Sequence, residues 1–443
     1  MDFKGKKITQ MGLGLLGRGV GDAKFLAQSG AELVVTDLKS AADLAPSLEA
    51  LKGLPNISFV LGRHRLEDFS HRDFILKSAN VPLDSPFIAE ARRQGIPIEM
   101  STSLFARLTK ATIIGVTGTR GKSTTTHLIY EILRQAYRDR PEKIYLGGNI
   151  RGVATLPLLA KANLGDIAVL ELDSWQLQGF GESGISPHIA VFTTFLDDHL
   201  NYYKDNRSLY LDDKANIFKY QIARDVLILN PAVASLIKEK YPAIESQMII
   251  PEALPPSWRL SIPGNHNREN AALALAAVRL CDISEAEARN IIESFPGIPG
   301  RLQYLGEKNS LRFYNDTTAT TPDATMAALT ALASHKKIIL IMGGADKMLP
   351  MSRLLQVIPR YCKAVLVLPG TGTDIIRHDL DRLQNADLRI GHVSSMAEAV
   401  NMAMKSADTG DTILLSPGFA SFGLFKNEFD RGDQFVASYQ NLP

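Results

Sequence analysis

The 443-residue chain is poor in cysteine and tryptophan and has no bias of charge. Its two cysteines, Cys281 and Cys362, lie far apart and each follows an apolar helical or loop segment, so buried thiols are expected rather than a disulfide or a metal pair. The net charge of +2 gives no reason to expect nucleic acid or a membrane surface as partner. No run approaches the roughly 18 apolar residues of a membrane span, which argues against membrane insertion. The stretch Met1–Lys7 runs straight into a strand without the apolar core of a signal peptide, and the expected compartment is a reducing cytoplasm. What is present is ordinary for a globular protein, 45% apolar and 22% charged residues. The length exceeds one ordinary core, and about three domains are expected.

The strongest signal is the stretch from Thr112 to Thr124. Four apolar residues among Thr112-Ile113-Ile114-Gly115-Val116 read as a buried strand, and Gly118 and Gly121 permit a tight turn with inward N–H groups. Lys122 supplies a cation, and Ser123 or Thr124 a hydroxyl for a metal. Leu128, Ile129, Ile132 and Leu133 then share one helical face. Strand, glycine turn, lysine, hydroxyl and helix in this order make a phosphate cradle, here in the short Gly-x-x-Gly-Lys-Ser-Thr form.

Before it, residues 7–12 read as a strand and residues 18–29 as a helix, with Gly12-x-Gly14-x-x-Gly17 between them. A second strand ends at Asp37, 20 residues beyond Gly17. Glycines of this spacing allow close approach to a pyrophosphate, and the acid suits a ribose hydroxyl. After the phosphate loop, residues 167–173 form an apolar strand interrupted by Glu171. A charge there is costly unless paired or bound to a metal. A second apolar strand over 189–195 runs into Asp197-Asp198-His199. Glu171 and His199 are thus candidate Mg²⁺ ligands, directly or through water. Residues 262–270 read as a polar loop leading into a helix over 271–280. Asn267 and Asn270, three apart, can present their amides together on a helical face. Pro-Gly-Ile-Pro-Gly at 296–300 marks a domain boundary. Beyond it, strands over 311–315, 337–342, 364–368 and 412–415 carry polar turns at their ends.

In order and spacing, these motifs resemble the Mur ligases, and most closely their D-glutamate-adding branch. The resemblance runs the length of the chain. It includes Gly147-Gly148-Asn149, Glu171 to Leu177, Asp198-His199 with Lys214, and His266-Asn267-x-x-Asn270. It continues through Gly300-Arg301, Asn315-Asp316-Thr317, Gly343-Gly344-x-Asp346-Lys347, and Ser416-Pro417 followed by Phe425-Lys426-Asn427 and Arg431-Gly432. It implies an α/β protein of three domains, each a mainly parallel sheet with flanking helices. These are a Rossmann-like UDP-sugar domain (1–107), a central P-loop ATPase domain (108–297) and a Rossmann-like amino-acid domain (298–443).

The resemblance also implies an ATP-dependent amide ligase that adds D-glutamate to UDP-N-acetylmuramoyl-L-alanine through an acyl phosphate and a tetrahedral intermediate, in cytoplasmic peptidoglycan precursor synthesis. ATP would contact Gly118, Thr119, Arg120, Gly121, Lys122, Ser123, Thr124, Asn267, Asn270, Arg301 and Asp316. Two Mg²⁺ sites, open to Mn²⁺ as a substitute, would draw on Ser123, Glu171, His199 and a carbamylated Lys214. Lys122, His199 and Lys214 would be catalytic. Gly14, Leu15, Leu16, Asp37, Leu38 and Asn149 would hold the UDP-sugar, and Thr320, Lys347 and Ser421 the D-glutamate. The resemblance further implies small-molecule partners and a monomer.

The chain departs from the family's pattern at Arg120, Asp173, Trp175, Ser78-Ala79-Asn80, Thr318 and Glu428. The last two lie in the amino-acid domain. A different amino-acid-adding Mur or folyl-polyglutamate-type ligase is one alternative. A nicotinamide-dependent oxidoreductase using Gly12-x-Gly14-x-x-Gly17 is another, but it leaves the phosphate loop, Glu171, His199 and Lys214 without a task. A non-catalytic nucleotide-binding scaffold is the third, and the intact Lys122-Ser123, Glu171 and Lys214 set argues against it.

Overall fold

The structure, a computed structural model, describes residues 3–15, 17–198, 200–332 and 337–442. Two of the residues implicated above, Leu16 and His199, lie outside the described residues. The chain divides into two compact units. One comprises residues 1–195, 208–252 and 272–288, the other 196–207, 253–271 and 289–443.

The first unit contains two sheets. Strands β1 (Lys7–Met11), β2 (Glu32–Asp37), β3 (Ile57–Leu61), β4 (Phe74–Lys77) and β5 (Ile98–Glu99) pair in the order β3-β2-β1-β4-β5, all parallel. Strands β6 (Thr112–Thr117), β7 (Ile144–Gly148), β8 (Ile167–Glu171), β9 (Ile189–Phe192), β10 (Val226–Leu229) and β11 (Gln247–Ile249) form a second parallel sheet in the order β11-β10-β9-β6-β8-β7. Strands β8, β9 and β10 are buried along their length and apolar apart from Glu171 at the end of β8, as parallel sheets covered by helices require. Each glycine turn leaves the end of a strand in the middle of its sheet, β1 in one case and β6 in the other. Ligands of open α/β sheets gather at such carboxyl ends.

The second unit holds β12 (Gln303–Lys308), β13 (Leu311–Asn315), β14 (Ile338–Gly343), β15 (Cys362–Leu368), β16 (Arg389–His392) and β17 (Thr412–Leu415), in the order β12-β13-β17-β14-β15-β16. Only the β12–β13 pair is antiparallel among the described strands of this sheet. Side chains alternate across the pleat. Ile338, Leu340 and Met342 enter one hydrophobic cluster, and Ile339 and Ile341 the other.

One segment differs from the sequence reading. The polar stretch ahead of Ala271 is not all loop, because the helix begins at Asn265 and runs to Arg279. Side-chain bonds stabilise this polar first turn: Asn265 Nδ2 donates to Glu269 Oε1 at 3.0 Å, and Asn267 Nδ2 to Pro263 O at 2.7 Å. Both cysteines are free and buried, as expected.

Candidate functional site

In the first unit, β6 ends at Thr117 and the helix Lys122–Ala136 begins behind Gly121, which caps it with φ +88°. Gly118 turns the chain at φ +140°, where a Cβ would sit 2.0 Å from Thr193 Oγ1. Only glycine fits, by conformation and by space. The loop is pinned from the end of β9. Thr119 N donates to Thr194 O at 2.7 Å, and Arg120 N to Thr194 Oγ1 at 2.8 Å. The Thr193 hydroxyl donates to the Thr117 carbonyl at 3.0 Å and also to that of Arg120.

Two lysines converge on this loop. Lys122 Nζ donates to the carbonyls of Gly118 (3.0 Å) and Thr119 (3.1 Å), and Lys214 Nζ to that of Gly118 (2.8 Å). Lys214, on the helix Arg207–Ala215, is 1% exposed, and its ammonium lies 4.8 Å from the centre of the Tyr210 ring. The Tyr210 hydroxyl is 3.3 Å from Thr119 Oγ1. Ser123 is buried in the first turn of the helix. Glu171 closes β8 beside the loop, 2% exposed, and its Oε2 has no hydrogen-bond partner among the described residues. A buried carboxylate oxygen without a donor is a position a cation would satisfy. No cluster of three His, Cys, Asp or Glu suited to a metal occurs among the described residues. Mg²⁺ does not require one, since it keeps waters and takes one or two carboxylates with substrate phosphates. The residues present therefore fit such an ion.

The first glycine turn is built differently. Leu13 N and Gly14 N donate to Asp37 Oδ2 at 2.9 and 3.1 Å, and Lys39 N to Asp37 Oδ1 at 2.9 Å. Burial works to raise the pKa of Asp37. The three N–H donors and the charge of Lys39 outweigh it and hold the carboxyl below its usual range. Asp37 thus braces the turn itself, a task that its spacing from Gly17 does not disclose. Gly12 lies against Ser78, whose hydroxyl donates to Gly12 O at 3.0 Å. Lys77 clasps the Ser78-Ala79-Asn80 stretch by donating to the carbonyls of Ser78 (3.2 Å) and Val81 (2.9 Å). Leu15 and Leu38 are exposed, at 54% and 68%. Exposed leucines beside a glycine turn suit contact with a ligand. Asn149 follows β7, and its Oδ1 accepts from Arg18 at 2.6 Å.

Asp173 explains itself. Its side chain caps the helix Ser174–Ser183 in a reciprocal box with Gln176. Arg120 contributes its backbone to the pinned loop, and its guanidinium NH1 reaches Thr119 O at 3.4 Å.

In the second unit, the polar turns come together at the carboxyl ends of β13, β14 and β17. Ser416 Oγ donates to Asp316 Oδ2 at 2.8 Å, and Leu302 N to Asp316 Oδ1 at 2.9 Å, which seats Arg301 next to the Asp316 turn. Lys347 Nζ lies 3.3 Å from both Thr320 Oγ1 and Asp198 Oδ1. Ala345 pairs with Ala420 on the backbone, so buried Ser421 follows a strand-like contact with the Lys347 loop. Asn270 Nδ2 is 3.4 Å from Asn267 Oδ1, which places both amides on one face.

The sequence reading gave Asp198 and Arg431 no role. Arg431 is fully buried, and its guanidinium donates to Thr317 O, Thr317 Oγ1 and Phe419 O at 2.8, 3.2 and 3.2 Å. Desolvation lowers its pKa to about 10 against the opposing charges of Glu428 and Asp316. One buried cation thus ties together the turns after β13 and β17. The signal available was an arginine on the helix Glu428–Gln440 directly before a glycine, Gly432, that packs on Thr317.

Similarity to known proteins agrees with this architecture. The family model described as the Mur ligase middle domain matches residues 116–247, and that of the Mur ligase glutamate ligase domain matches residues 300–419. The chain is 37% identical to the UDP-N-acetylmuramoylalanine--D-glutamate ligase of Roseiflexus sp. (strain RS-1), covering 98% of each chain. It is 33% identical to the enzyme of that name from Borreliella burgdorferi strain B31, covering 100% of this chain and 99% of the other. The solved structure of a UDP-N-acetylmuramate-alanine ligase from Thermotoga maritima shares the fold, with a TM-score of 0.63 at 20% identity over 98% of this chain and 99% of that one. A murein peptide ligase from Psychrobacter arcticus gives a TM-score of 0.55 at 15% identity over 99% and 100%. With these relatives matching from end to end and a strand–glycine–lysine loop facing a buried glutamate and a buried lysine, the chain belongs to the Mur ligase family.

Proposed function

We propose that the chain joins D-glutamate to UDP-N-acetylmuramoyl-L-alanine with cleavage of ATP to ADP and phosphate, in cytoplasmic peptidoglycan precursor synthesis. The observation that carries this reading is the convergence of Lys122 and Lys214 on Gly118 O beside buried Glu171, in a chain similar over its whole length to D-glutamate ligases.

A carboxylate is a poor electrophile, and phosphorylation by ATP converts it to an acyl phosphate. Lys122 leaves its own loop carbonyls to follow the β- and γ-phosphates, and the amides of Gly118 to Thr124 cradle them. Two Mg²⁺ ions, replaceable by Mn²⁺, would be held through Ser123, Glu171, His199 and Lys214 as its carbamate, and would neutralise charge on the transferring phosphoryl group. Asn267, Asn270, Arg301 and Asp316 serve the remainder of the nucleotide. Gly14, Leu15, Leu16, Leu38 and Asn149 serve the UDP-sugar in this reading, with Asp37 holding the turn in shape. Thr320, Lys347 and Ser421 receive D-glutamate, and the ammonium of Lys347 answers one of its carboxylates. The amine then attacks the acyl phosphate, the tetrahedral intermediate expels phosphate, and an amide remains. The amine must lose a proton to react, and His199 is a candidate base. The domains are taken as residues 1–107, 108–297 and 298–443, acting as a monomer.

Purified protein should release phosphate from ATP only with UDP-N-acetylmuramoyl-L-alanine, D-glutamate and a divalent cation all present. Phosphate release that ignores the amino acid, or prefers another, would overturn the assignment to D-glutamate.

A further inference from the structure

We propose that Arg18 is a positioning residue for the nucleotide-sugar substrate. Through its hydrogen bond to Asn149 Oδ1 it holds that amide with the NH₂ group outward, so that Asn149 meets an acceptor oxygen of the ligand, a phosphate or carboxylate. This rests on the nucleotide-sugar reading above.

The two residues are 131 positions apart, and Arg18 NH1 lies 2.6 Å from Asn149 Oδ1. A guanidinium only donates. The amide must therefore turn its oxygen to Arg18, because the flipped amide would set donor against donor. The NH₂ end of Asn149 is what remains for a ligand, and it offers two donors and no acceptor. Phosphate and carboxylate oxygens can accept from it, whereas an ammonium cannot.

The backbone of Asn149 is fixed independently. Its N–H donates to Glu171 O at 2.7 Å, and Gly148 N donates to Thr155 Oγ1 at 2.8 Å. Gly148 sits at φ +84°, where a Cβ would fall 2.1 Å from Glu171 O. The side-chain torsions are then the freedom left at Asn149, and Arg18 removes it. The reach is built into the helix Arg18–Gln28. A Cβ on Gly21 would come within 2.4 Å of Ala154 Cβ, and the Cβ position of Gly17 is 3.9 Å from Gly152 Cα. Gly21 thus lets the helix lie against Ala154, with its N-cap Gly17 in ordinary contact with Gly152, and this brings Arg18 to Asn149. The carboxyl one turn on does not compete for Arg18. Asp22 is held by the Ser101 hydroxyl at 2.9 Å and the backbone N–H of Leu156, and feels the charge of Arg18 only through space.

The test is a double-mutant cycle on the full-length protein, read by calorimetric titration with UDP-N-acetylmuramoyl-L-alanine and by steady-state kinetics. Arg18→Ala should weaken binding of the nucleotide sugar and raise its KM about tenfold. The KM values for ATP and D-glutamate and the melting temperature should stay as in the parent. Arg18→Lys, which keeps a donor, should recover most of the loss. In an Asn149→Ala background, Arg18→Ala should cost nothing further. A second full tenfold loss there would overturn the proposal, since Arg18 would then act without Asn149. An unchanged KM in Arg18→Ala, or a loss spread equally over all three substrates, would overturn it as well. A parent protein that binds the nucleotide sugar but releases no phosphate would refute the ligase reading and leave the binding cycle readable. A parent that does not bind it would refute both.

Discussion

Two strand–glycine–helix turns occur in the same unit, and their backbones are nearly identical where the helix begins. Gly17 caps the first helix at φ +83°, ψ −20°, and Gly121 the second at φ +88°, ψ −18°. What differs is the bracing. The first turn is held by a carboxylate, Asp37, that accepts from its amides. The second is held by threonine hydroxyls and carbonyls from β9, with two lysine ammonium groups on Gly118 O. A carboxylate that already takes a turn's amides competes there with a triphosphate, whereas the Lys122 ammonium beside the second turn attracts one. Backbone shape alone therefore does not assign a nucleotide. The charge of the groups that hold the shape does.

The largest expected effect is at Lys122. Lys122→Ala should lower turnover by at least about 100-fold, through lost stabilisation of charge on the transferring phosphoryl group. Binding of the nucleotide sugar at the first turn should be unaffected. Calorimetry and phosphate release on one sample separate the two. Loss of sugar binding, or full turnover, would break the division of labour between the turns.

The next effect compares glycines. At Gly118 an alanine Cβ would meet Thr193 Oγ1 at 2.0 Å and Thr194 N at 2.8 Å, with φ at +140°. At Gly14 nothing lies within 4 Å and φ is +66°. Gly14→Ala should cost roughly 1 kcal/mol, the left-handed penalty alone. Gly118→Ala should cost roughly 3 kcal/mol, since overpacking adds to the strain. Denaturant unfolding would measure both, and equal costs would show that the second loop is not pinned as tightly as its contacts indicate.

Much of this was legible in the amino-acid order. The phosphate loop announces itself because its strand, glycines, lysine and helix are consecutive. Strands β9, β13 and β17 read directly as apolar or alternating runs. Three edge strands were not legible. The residues of β3 are only half-buried or exposed, and β16 is Arg-Ile-Gly-His with both ends exposed, so neither carries a clear pattern. Strand β12 is polar and pairs antiparallel, and it is likewise silent. The braces were invisible for another reason. Asp37 reaches back 23 and 24 residues to the first turn, Thr194 reaches 74 to Arg120, and Arg431 reaches 114 to Thr317. No local spacing encodes such partners, and only the strand order brings them together.

The smallest effect concerns the helices that follow the two turns. Behind Lys122 the second carries only neutral groups, Ser123 to Thr126, in its first turn, with Thr126 Oγ1 donating to Lys122 O at 2.8 Å. The first carries Asp22, whose pKa burial raises to about 7 against the opposing influence of Ser101, the Leu156 N–H and Arg18. The folded protein therefore holds a proton there that the unfolded chain has released. Stability from this group is fully present below the ordinary carboxyl pKa of 3.8 and is lost as pH rises through about 7. Asp22→Asn keeps an oxygen for the Ser101 hydroxyl and cannot ionise. Its melting-temperature advantage over the parent should therefore grow by about 3–5 °C between pH 5 and pH 8.5. The Ser123→Ala and Thr126→Ala variants of the second helix should show no such pH dependence. An Asp22→Asn gain of equal size at both pH values would mean that packing rather than charge governs the first helix, and the contrast between the two turns would then stop at their loops.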